Sequence, residues 1–140
     1  MAESSSPPTL EIGQRASYSK TATDADILLF LAISGDNNPI HIDDEAARKS
    51  RFGRRILPGI WSAGLISALL ASRLPGRGSI YLSQTLNFKR PVFPGDTITA
   101  TAEITAIRRD KGIVTLTTTC SNQTGEIVVE GEAVVMLPRA

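Results

Sequence analysis

The chain has 140 residues, of which 41% are hydrophobic and 21% charged, so it is large and apolar enough to bury one core but not two. Lysine and arginine number 15 and aspartate and glutamate 14, which gives a net charge of +1. This balance, with only 5% aromatic residues, argues against a nucleic-acid partner, because phosphate binding needs an excess of basic side chains.

The N-terminal residues predict a tail rather than a targeting segment. Residues 1–14 include the run SSSPP, typical of disordered chain, and contain no apolar stretch resembling a signal-peptide core. Cys120 is the only cysteine, so neither an intramolecular disulfide nor a cysteine-based metal site can form. We therefore expect a cytoplasmic protein with a disordered tail over residues 1–14 and a single domain over residues 15–140.

The first part of the domain predicts one short strand and two helices. Residues 16–21 are typical of an edge strand, and Thr23 can cap a helix that continues to Gly35. Residues 36–41 are predicted to form a shaped loop, because Pro39 lacks an N–H and disfavours helical geometry at the residue before it. The acidic start and basic end of residues 43–49 favour a short helix.

The longest uncharged run, residues 56–72, predicts a buried helix from about Gly59 to about Leu74. The run is shorter than the ~20 apolar residues that a membrane-spanning helix needs, and it contains Pro58 and Gly59. We therefore expect no membrane partner. Because this helix has almost no polar face, another element must surround it on most sides.

The pattern changes period after the Pro-Gly pair at 75–76. Segments rich in β-branched residues, separated by short turn signals, cover residues 80–89, 97–108, 112–122 and 126–137. Short turns imply antiparallel hairpins. Helices followed by four long antiparallel strands predict an α+β domain whose sheet curls around the apolar helix.

Two side chains in the loop after the first helix are candidates for chemistry. Asp36 and His41 lie five residues apart across a Gly-Asp-Asn-Asn-Pro segment, so both can reach one small volume. A structural interpretation remains open for each, because a single histidine often serves only as a hydrogen-bonding residue and Asp36 can form an Asx turn. The asparagines at 37 and 38 equally fit simple turn formation.

Residues 34–41, SGDNNPIH, resemble the hydratase-2 motif of the MaoC-like, R-specific enoyl-CoA hydratases. The resemblance continues through residues 74–84, 88–96 and 131–135, and so covers nearly everything after the tail. It implies the hot-dog fold, a long helix wrapped by an antiparallel sheet, and is closest to the small, single-hot-dog hydratases that supply R-3-hydroxyacyl-CoA to polyhydroxyalkanoate synthesis. It also implies a homodimer whose two sheets join edge to edge.

The resemblance assigns the catalytic pair to Asp36 and His41, an assisting serine to Ser67, and a backbone oxyanion donor to Gly59. Adding water across the double bond of an enoyl thioester requires a group that takes a proton, one that delivers a proton, and donors for the enolate oxygen. The family usually has histidine before the glycine, whereas this chain has Pro58. The substrate implied is a coenzyme A thioester, with no metal and no redox cofactor.

Further residues are candidates for binding the substrate. Lys89 and Arg90, and the basic segment 48–55, could hold the phosphates of coenzyme A, although the segment fits a solvated linker equally well. Tyr81 and Gln84 match family positions but also fit strand packing. The other two candidates are Asn38 and Trp61, and Trp61 fits the core better than an acyl pocket.

Three other functions remain open from the sequence. The chain fits a dehydratase of 3-hydroxyacyl carrier protein or of a specialised acyl-CoA, a non-catalytic acyl-CoA-binding subunit, and a hot-dog thioesterase. Asp36, His41 and Ser67 together speak against the non-catalytic subunit, because a protein that only binds has no chemical need for all three.

Overall fold

The computed structural model describes residues 9–139 and arranges six strands in one antiparallel sheet. In chain order the strands are β1 (Arg15–Thr21), β2 (Ile80–Gln84), β3 (Asn87–Phe88), β4 (Thr97–Arg108), β5 (Ile113–Ser121) and β6 (Ile127–Met136). The helices are α1 (Asp24–Ser34), α2 (Pro39–Ile42), α3 (Asp44–Arg48) and α4 (Gly59–Ser72). The predicted α+β class is confirmed.

The sheet has the order β1-β4-β5-β6-β2, and β3 also pairs with β6. Hairpins join β4 to β5 and β5 to β6, as the short turn signals predicted. Along β4 the side chains alternate as predicted, because Ile98, Ala100, Ala102 and Ile104 are all buried while the threonines between them are only partly buried. Because the strand order begins with β1 and ends with β2, these two strands lie at the edges of the sheet.

The segment predicted as one strand over residues 80–89 is two strands with a break at residues 85–86. At the break the backbone of Thr85 crosses close to β6, where its N–H donates to the carbonyl of Glu132 at 2.9 Å. A Cβ atom on Gly131 would lie only 1.8 Å from the carbonyl oxygen of Thr85. Glycine at 131 is thus what permits this close approach.

Helix α4 lies across one face of the sheet and contacts β1, β4, β5 and β6. Its buried side chains, which join the main core, are Trp61, Leu65, Ile66, Leu69 and Leu70. This is the hot-dog arrangement that the resemblance implied. Within residues 9–139, no helix combines the length and the apolar character needed to cross a bilayer.

The sheet covers only one side of α4, which differs from the prediction that the helix would be surrounded on most sides. The opposite face, formed by Ile60, Gly64, Ser67, Ala68 and Ala71, is exposed in the single chain. Its residues are mostly small, so they are the positions at which another backbone could approach closely. Packing within one chain therefore accounts for the apolar residues on only one side of α4.

Helix α1 begins with the predicted cap. The side chain of Thr23 accepts from the N–H of Asp26 at 3.1 Å, and the Asp26 carboxylate accepts from the N–H of Thr23 at 2.9 Å, which is a reciprocal capping box. At the other end Gly35 has φ 78°, a left-handed conformation that glycine adopts without strain. The chain turns sharply there and enters the segment that carries Asp36.

The prediction of a loop over residues 36–41 is wrong from Pro39 onward. Helix α2 begins at Pro39, capped by the side chain of Asn38, whose oxygen accepts from the N–H of Ile40 at 3.3 Å. Proline is well suited to the first position of a helix, because the N–H that it lacks would have no partner there. This short helix carries His41 into the protein interior.

The predicted tail over residues 1–14 is too long at its C-terminal end. Leu10 is buried in the core, and its carbonyl accepts from the Arg109 guanidinium at 2.8 Å. The N–H of Gly13 donates to the carbonyl of Ile104 at 2.8 Å, which extends the edge of the sheet. Residues 1–8, which include the SSSPP run, lie outside the described part of the chain.

Candidate active site

A cavity of about 740 Å³ opens beside the N-terminal end of α4. It is lined by both members of the predicted catalytic pair, by Gly59, and by residues from the α2–α4 region and the β3–β4 connection. Two elements far apart in sequence, the α1–α2 turn and the head of α4, thus supply the polar groups of one site. Asp36, His41 and Gly59, which were predicted to share a site, all line this one cavity.

His41 is buried and held in one orientation. Its Nδ1 lies 2.7 Å from the backbone carbonyl oxygen of Ile56. Because a carbonyl only accepts, Nδ1 carries the hydrogen, and in the neutral ring Nε2 is left as an acceptor. The Nε2 atom lies 3.6 Å from Oδ2 of Asp36, which is longer than a hydrogen bond, so both atoms remain available to a third group.

Asp36 is positioned by the end of α1. Its N–H donates to the Ser34 hydroxyl at 3.2 Å, and Ser34 in turn donates to the carbonyl of Phe30 at 2.7 Å. One carboxylate oxygen, Oδ1, accepts from the N–H of Asn38 at 2.9 Å. The other oxygen faces His41, and the carboxylate is one-third exposed. The Asx turn and the candidate catalytic role therefore coexist in Asp36, through different oxygens.

The head of α4 presents backbone donors to the cavity. Gly59 is its first residue, so the Gly59 N–H has no carbonyl partner within the helix, and Pro58 at the N-cap offers no side-chain acceptor. The first turn contains no acidic side chain to neutralise the positive end of the helix dipole. This terminus is therefore suited to stabilise negative charge on a bound oxygen atom.

The basic candidates divide into two groups. Arg51, Lys89 and Arg90 line the cavity and are exposed at its mouth, with Lys89 3.3 Å from Glu130 and Arg90 2.9 Å from Glu126. Other basic residues of the 48–55 segment have different partners. Arg55 contacts Asp24 and Asp44, Arg48 and Lys49 contact Glu45, and Arg54 stacks on Phe93.

The structure does not bring Ser67 to the catalytic pair, contrary to the prediction. Ser67 follows Gly59 by eight residues, so it lies about 12 Å further along the helix axis. It is on the exposed face of α4 and lines a separate cavity of about 110 Å³ with Tyr81 and Val135. The serine of α4 that lines the main cavity is Ser62.

Four predicted substrate-binding residues also lie away from the main cavity. Trp61 is buried in the core, and Asn38 caps α2. The Tyr81 hydroxyl donates to Gln84, and Gln84 donates to the hydroxyl of Thr118 at 2.9 Å. Tyr81 and Gln84 line a second, more open cavity of about 370 Å³, next to the exposed side of α4.

Sequence reasoning missed Ser62 and Phe88. Phe88 lines the cavity and its ring lies against Gly59, while Ser62 is completely buried. A serine three residues after the predicted oxyanion glycine was the available signal. Within residues 9–139, no group of three or more His, Cys, Asp or Glu side chains is close enough together to hold a metal ion.

The fold and the site define a hot-dog protein with an Asp–His pair beside the head of its central helix. A family model described as "MaoC like domain" matches residues 6–125. The chain is 50% identical over 133 residues to the (R)-specific enoyl-CoA hydratase of Aeromonas caviae, covering 95% of this chain and 99% of that protein.

A second relative, the (R)-specific enoyl-CoA hydratase of Rhodospirillum rubrum, is 49% identical over 126 residues, with 90% of this chain and 87% of that protein covered. The solved structure of the A. caviae (R)-hydratase involved in PHA biosynthesis superposes with a TM-score of 0.90 at 51% identity, covering 93% of this chain and 98% of that one. The chain belongs to the MaoC-like domain family.

Proposed function

We propose that this protein is an R-specific enoyl-CoA hydratase, a hydro-lyase that reversibly adds water to trans-2-enoyl-CoA to give R-3-hydroxyacyl-CoA. The observation that carries the proposal is the placement of Asp36, His41 and the Gly59 N–H around one cavity. Two (R)-specific enoyl-CoA hydratases support the same conclusion, because they are 50% and 49% identical to this chain over 95% and 90% of its length. Supply of the product to polyhydroxyalkanoate synthesis is part of this proposal.

The proposed mechanism uses the two free acceptors of the pair. A water molecule donates to Oδ2 of Asp36 and to Nε2 of His41, and one of these atoms removes its proton as the oxygen bonds to C3 of the substrate. The electron pair of the double bond moves onto the thioester oxygen, where the Gly59 N–H stabilises the enolate. A proton from the pair is then delivered to C2. No electrons are gained or lost overall, so the reaction needs no redox cofactor.

The phosphates of coenzyme A are proposed to bind at the mouth of the same cavity. Arg51, Lys89 and Arg90 all line it, and guanidinium and ammonium groups are suited to phosphate oxygens. Lys89 and Arg90 would exchange their contacts with Glu130 and Glu126 for contacts with phosphate. Both ion pairs are exposed, so little free energy opposes this exchange.

Crotonyl-CoA tests the activity directly, because hydration removes the ultraviolet absorbance of the enoyl thioester. We expect turnover by the wild type, and a loss of about 10²–10⁴-fold in kcat for Asp36→Asn and for His41→Gln, since each removes a proton-transfer group. Asp110→Asn, in the β4–β5 turn, is the matched control and should keep full activity.

Absence of turnover with short and medium enoyl-CoA substrates would contradict the proposal. Tight binding of crotonyl-CoA without conversion would instead favour an acyl-CoA-binding subunit. Turnover of a carrier-protein thioester in preference to the CoA thioester would favour the dehydratase, and release of free thiol from a saturated acyl-CoA would favour a thioesterase.

We also propose that the protein is a homodimer joined through β2 and the exposed face of α4. Strand β2 is at the edge of the sheet, and its Ile80 and Leu82 side chains are about half-exposed, which is unusual for large apolar residues. The exposed face of α4 lies beside it, since Ile60 and Ala63 line one cavity with Leu82. Pairing two β2 edges would cover both surfaces at once.

The cytoplasm is the proposed location of the protein. Cys120, the only cysteine in the chain, is a buried free thiol. A protein whose stability depends on packing alone, without disulfides, is compatible with a reducing compartment. Export of an active enzyme from the producing cell would contradict this location.

A further inference from the structure

The hydroxyl of Ser62 is a buried polar group without a hydrogen-bond partner. Ser62 is completely buried, and among residues 9–139 its Oγ is the one buried side-chain nitrogen or oxygen atom that makes no hydrogen bond. Such an atom has lost its contacts with water and gained none in return, which is costly. Because Ser62 also lines the cavity that contains Asp36 and His41, a bound ligand can supply the missing hydrogen-bond partner.

Other serines near the ends of long helices in this chain satisfy their hydroxyls locally. Ser34 in α1 donates to the carbonyl of Phe30 at 2.7 Å, and Ser72 in α4 donates to the carbonyl of Ala68 at 2.5 Å, each four residues earlier. The corresponding carbonyl for Ser62 belongs to Pro58; it accepts from the N–H of Trp61 at 3.0 Å, and the Ser62 hydroxyl makes no hydrogen bond to it. The Ser62 hydroxyl therefore keeps its hydrogen for another acceptor.

The position of Ser62 on α4 directs its hydroxyl toward the head of the helix. Side chains in a helix tilt toward its N-terminus, so a residue three positions on lies over the turn that begins at Gly59.

We propose that the Ser62 hydroxyl is a second hydrogen-bond donor to the thioester oxygen, acting beside the Gly59 N–H. This inference rests on the proposed hydratase function. Both groups line the cavity that contains Asp36 and His41. The hydroxyl donates a hydrogen bond without transferring its proton, and the bond strengthens as negative charge develops on the enolate oxygen. Ser62 is then a catalytic residue that was absent from the sequence-based assignment.

An unpartnered hydroxyl in the free enzyme fits this role. A donor that bonded to a backbone carbonyl would have to break that bond before it could serve the substrate. Since Ser62 has no such bond, it is already free when the thioester arrives. Donors that need not exchange one hydrogen bond for another lower the barrier, because less has to rearrange during the reaction.

The test compares Ser62→Ala and Ser62→Cys with the wild type, using crotonyl-CoA and thermal unfolding. Alanine removes the donor, and we expect kcat to fall by about 10²-fold, as for loss of one oxyanion donor elsewhere, with KM changed by less than about threefold. The melting temperature should stay the same or rise, because an unsatisfied buried group has been removed. Cysteine keeps the volume but donates only weakly, so its kcat should resemble that of the alanine variant.

The control is Ser72→Ala, which removes another α4 serine that lies outside the cavity and should leave kcat unchanged. Three results would overturn the role of Ser62: an alanine variant with kcat within twofold of wild type, a rise in KM with kcat unchanged, or full recovery of kcat by cysteine, which would indicate packing. An inactive wild type would instead contradict the hydratase function itself.

Discussion

A Cβ atom on Gly59 would lie 2.8 Å from Cδ1 and 2.9 Å from Cε1 of Phe88, closer than real side-chain contacts allow. The Phe88 ring is 54% exposed and lines the cavity, so a movement of the ring that relieves this clash also changes the shape of the cavity. We therefore expect Gly59→Ala to fold but to lose at least about tenfold in kcat/KM, since misplaced groups are costly in catalysis. Steady-state kinetics with crotonyl-CoA measure this loss.

A double-mutant cycle separates the steric effect from the loss of the glycine itself. Phe88→Ala alone should keep most of the activity, and combining it with Gly59→Ala should restore much of what the single Gly59 variant loses, because the clash is gone. Strict additivity of the two losses would show that Phe88 is not the reason that residue 59 is glycine.

The thiol of Cys120 is predicted to be unreactive in the folded protein. Burial raises the pKa of this thiol from 9.0 to about 12, so almost none of it is the reactive thiolate near neutral pH. A colourimetric disulfide reagent at pH 8 should react at least about 10²-fold more slowly with the native protein than with the protein in guanidinium chloride. Complete labelling of the native enzyme at the rate of the unfolded chain would contradict this burial.

The same shift has a consequence for alkaline stability. An acidic group whose pKa is raised by folding stabilises the folded state below its unfolded pKa, and this contribution is lost as the pH rises through the folded value. Burial also raises the pKa of Tyr81 to about 12, with a smaller effect from Cys120. The free energy of unfolding should therefore fall between about pH 9 and pH 12, and a Cys120→Ala variant should show a shallower fall in urea titrations.

At the level of single elements, α1 depends on the capping box at its start. Replacing Thr23 with alanine removes the acceptor for the Asp26 N–H, so we expect a loss of about 1 kcal/mol in the free energy of unfolding, measured by urea denaturation. Thr23→Ser keeps the hydroxyl and should lose much less. Equal stabilities of the alanine and serine variants would mean that the cap contributes nothing measurable.

Asp26 makes the same element sensitive to acid. Burial raises the pKa of its carboxyl group, but the hydrogen bonds from Lys20 and Thr23 outweigh this, so the pKa is lowered overall from 3.8. A lowered carboxyl pKa gives stability that is present above the unfolded pKa and lost as the pH falls through the folded value. Asp26→Asn should flatten the decline in unfolding free energy below about pH 4, and an unchanged acid titration would contradict this.

The sequence correctly predicted the helices and strands whose ends are determined by residues close by in the chain. Thr23 and Gly35 bound α1 as expected, and the turn residues correctly separate β4, β5 and β6. It did not predict that α2 starts at Pro39, because proline ends helices in most positions and is favoured only in the first turn. Whether Pro39 ends a helix or begins one depends on how the surrounding chain packs against the core, which the local sequence does not specify.

The placement of the serines on α4 was out of reach for a physical reason. Pattern analysis finds the buried face of a helix from the separation of polar and apolar residues, and this helix is apolar all round. Ser62 and Ser67, about 140° apart around the axis, could therefore not be assigned to different faces. Only packing against the sheet makes Ser62 buried and Ser67 exposed.

At the scale of the whole molecule, a single chain leaves two adjacent apolar surfaces exposed. The exposed face of α4 is mostly small and apolar, and the adjacent edge strand β2 carries half-exposed large apolar side chains. Stable soluble proteins rarely expose an apolar edge strand, because it pairs readily with another chain. The uncharged composition of residues 56–72 is explained if a second copy covers the side that the sheet does not.

Ala68→Glu tests this explanation. Glutamate is a good helix former, so on an exposed face of a single chain it should leave the fold intact. In a dimer it would bury an unpaired carboxylate against the partner's helix, which is strongly unfavourable. Sedimentation should therefore give twice the 15.0 kDa chain mass for the wild type and a shift toward that single-chain mass for the variant.

Lys111→Glu, in the β4–β5 turn away from the proposed interface, is the control for added negative charge and should remain dimeric. A wild-type protein that sediments as a monomer at micromolar concentration would mean that the open face of α4 is stable in water as it stands.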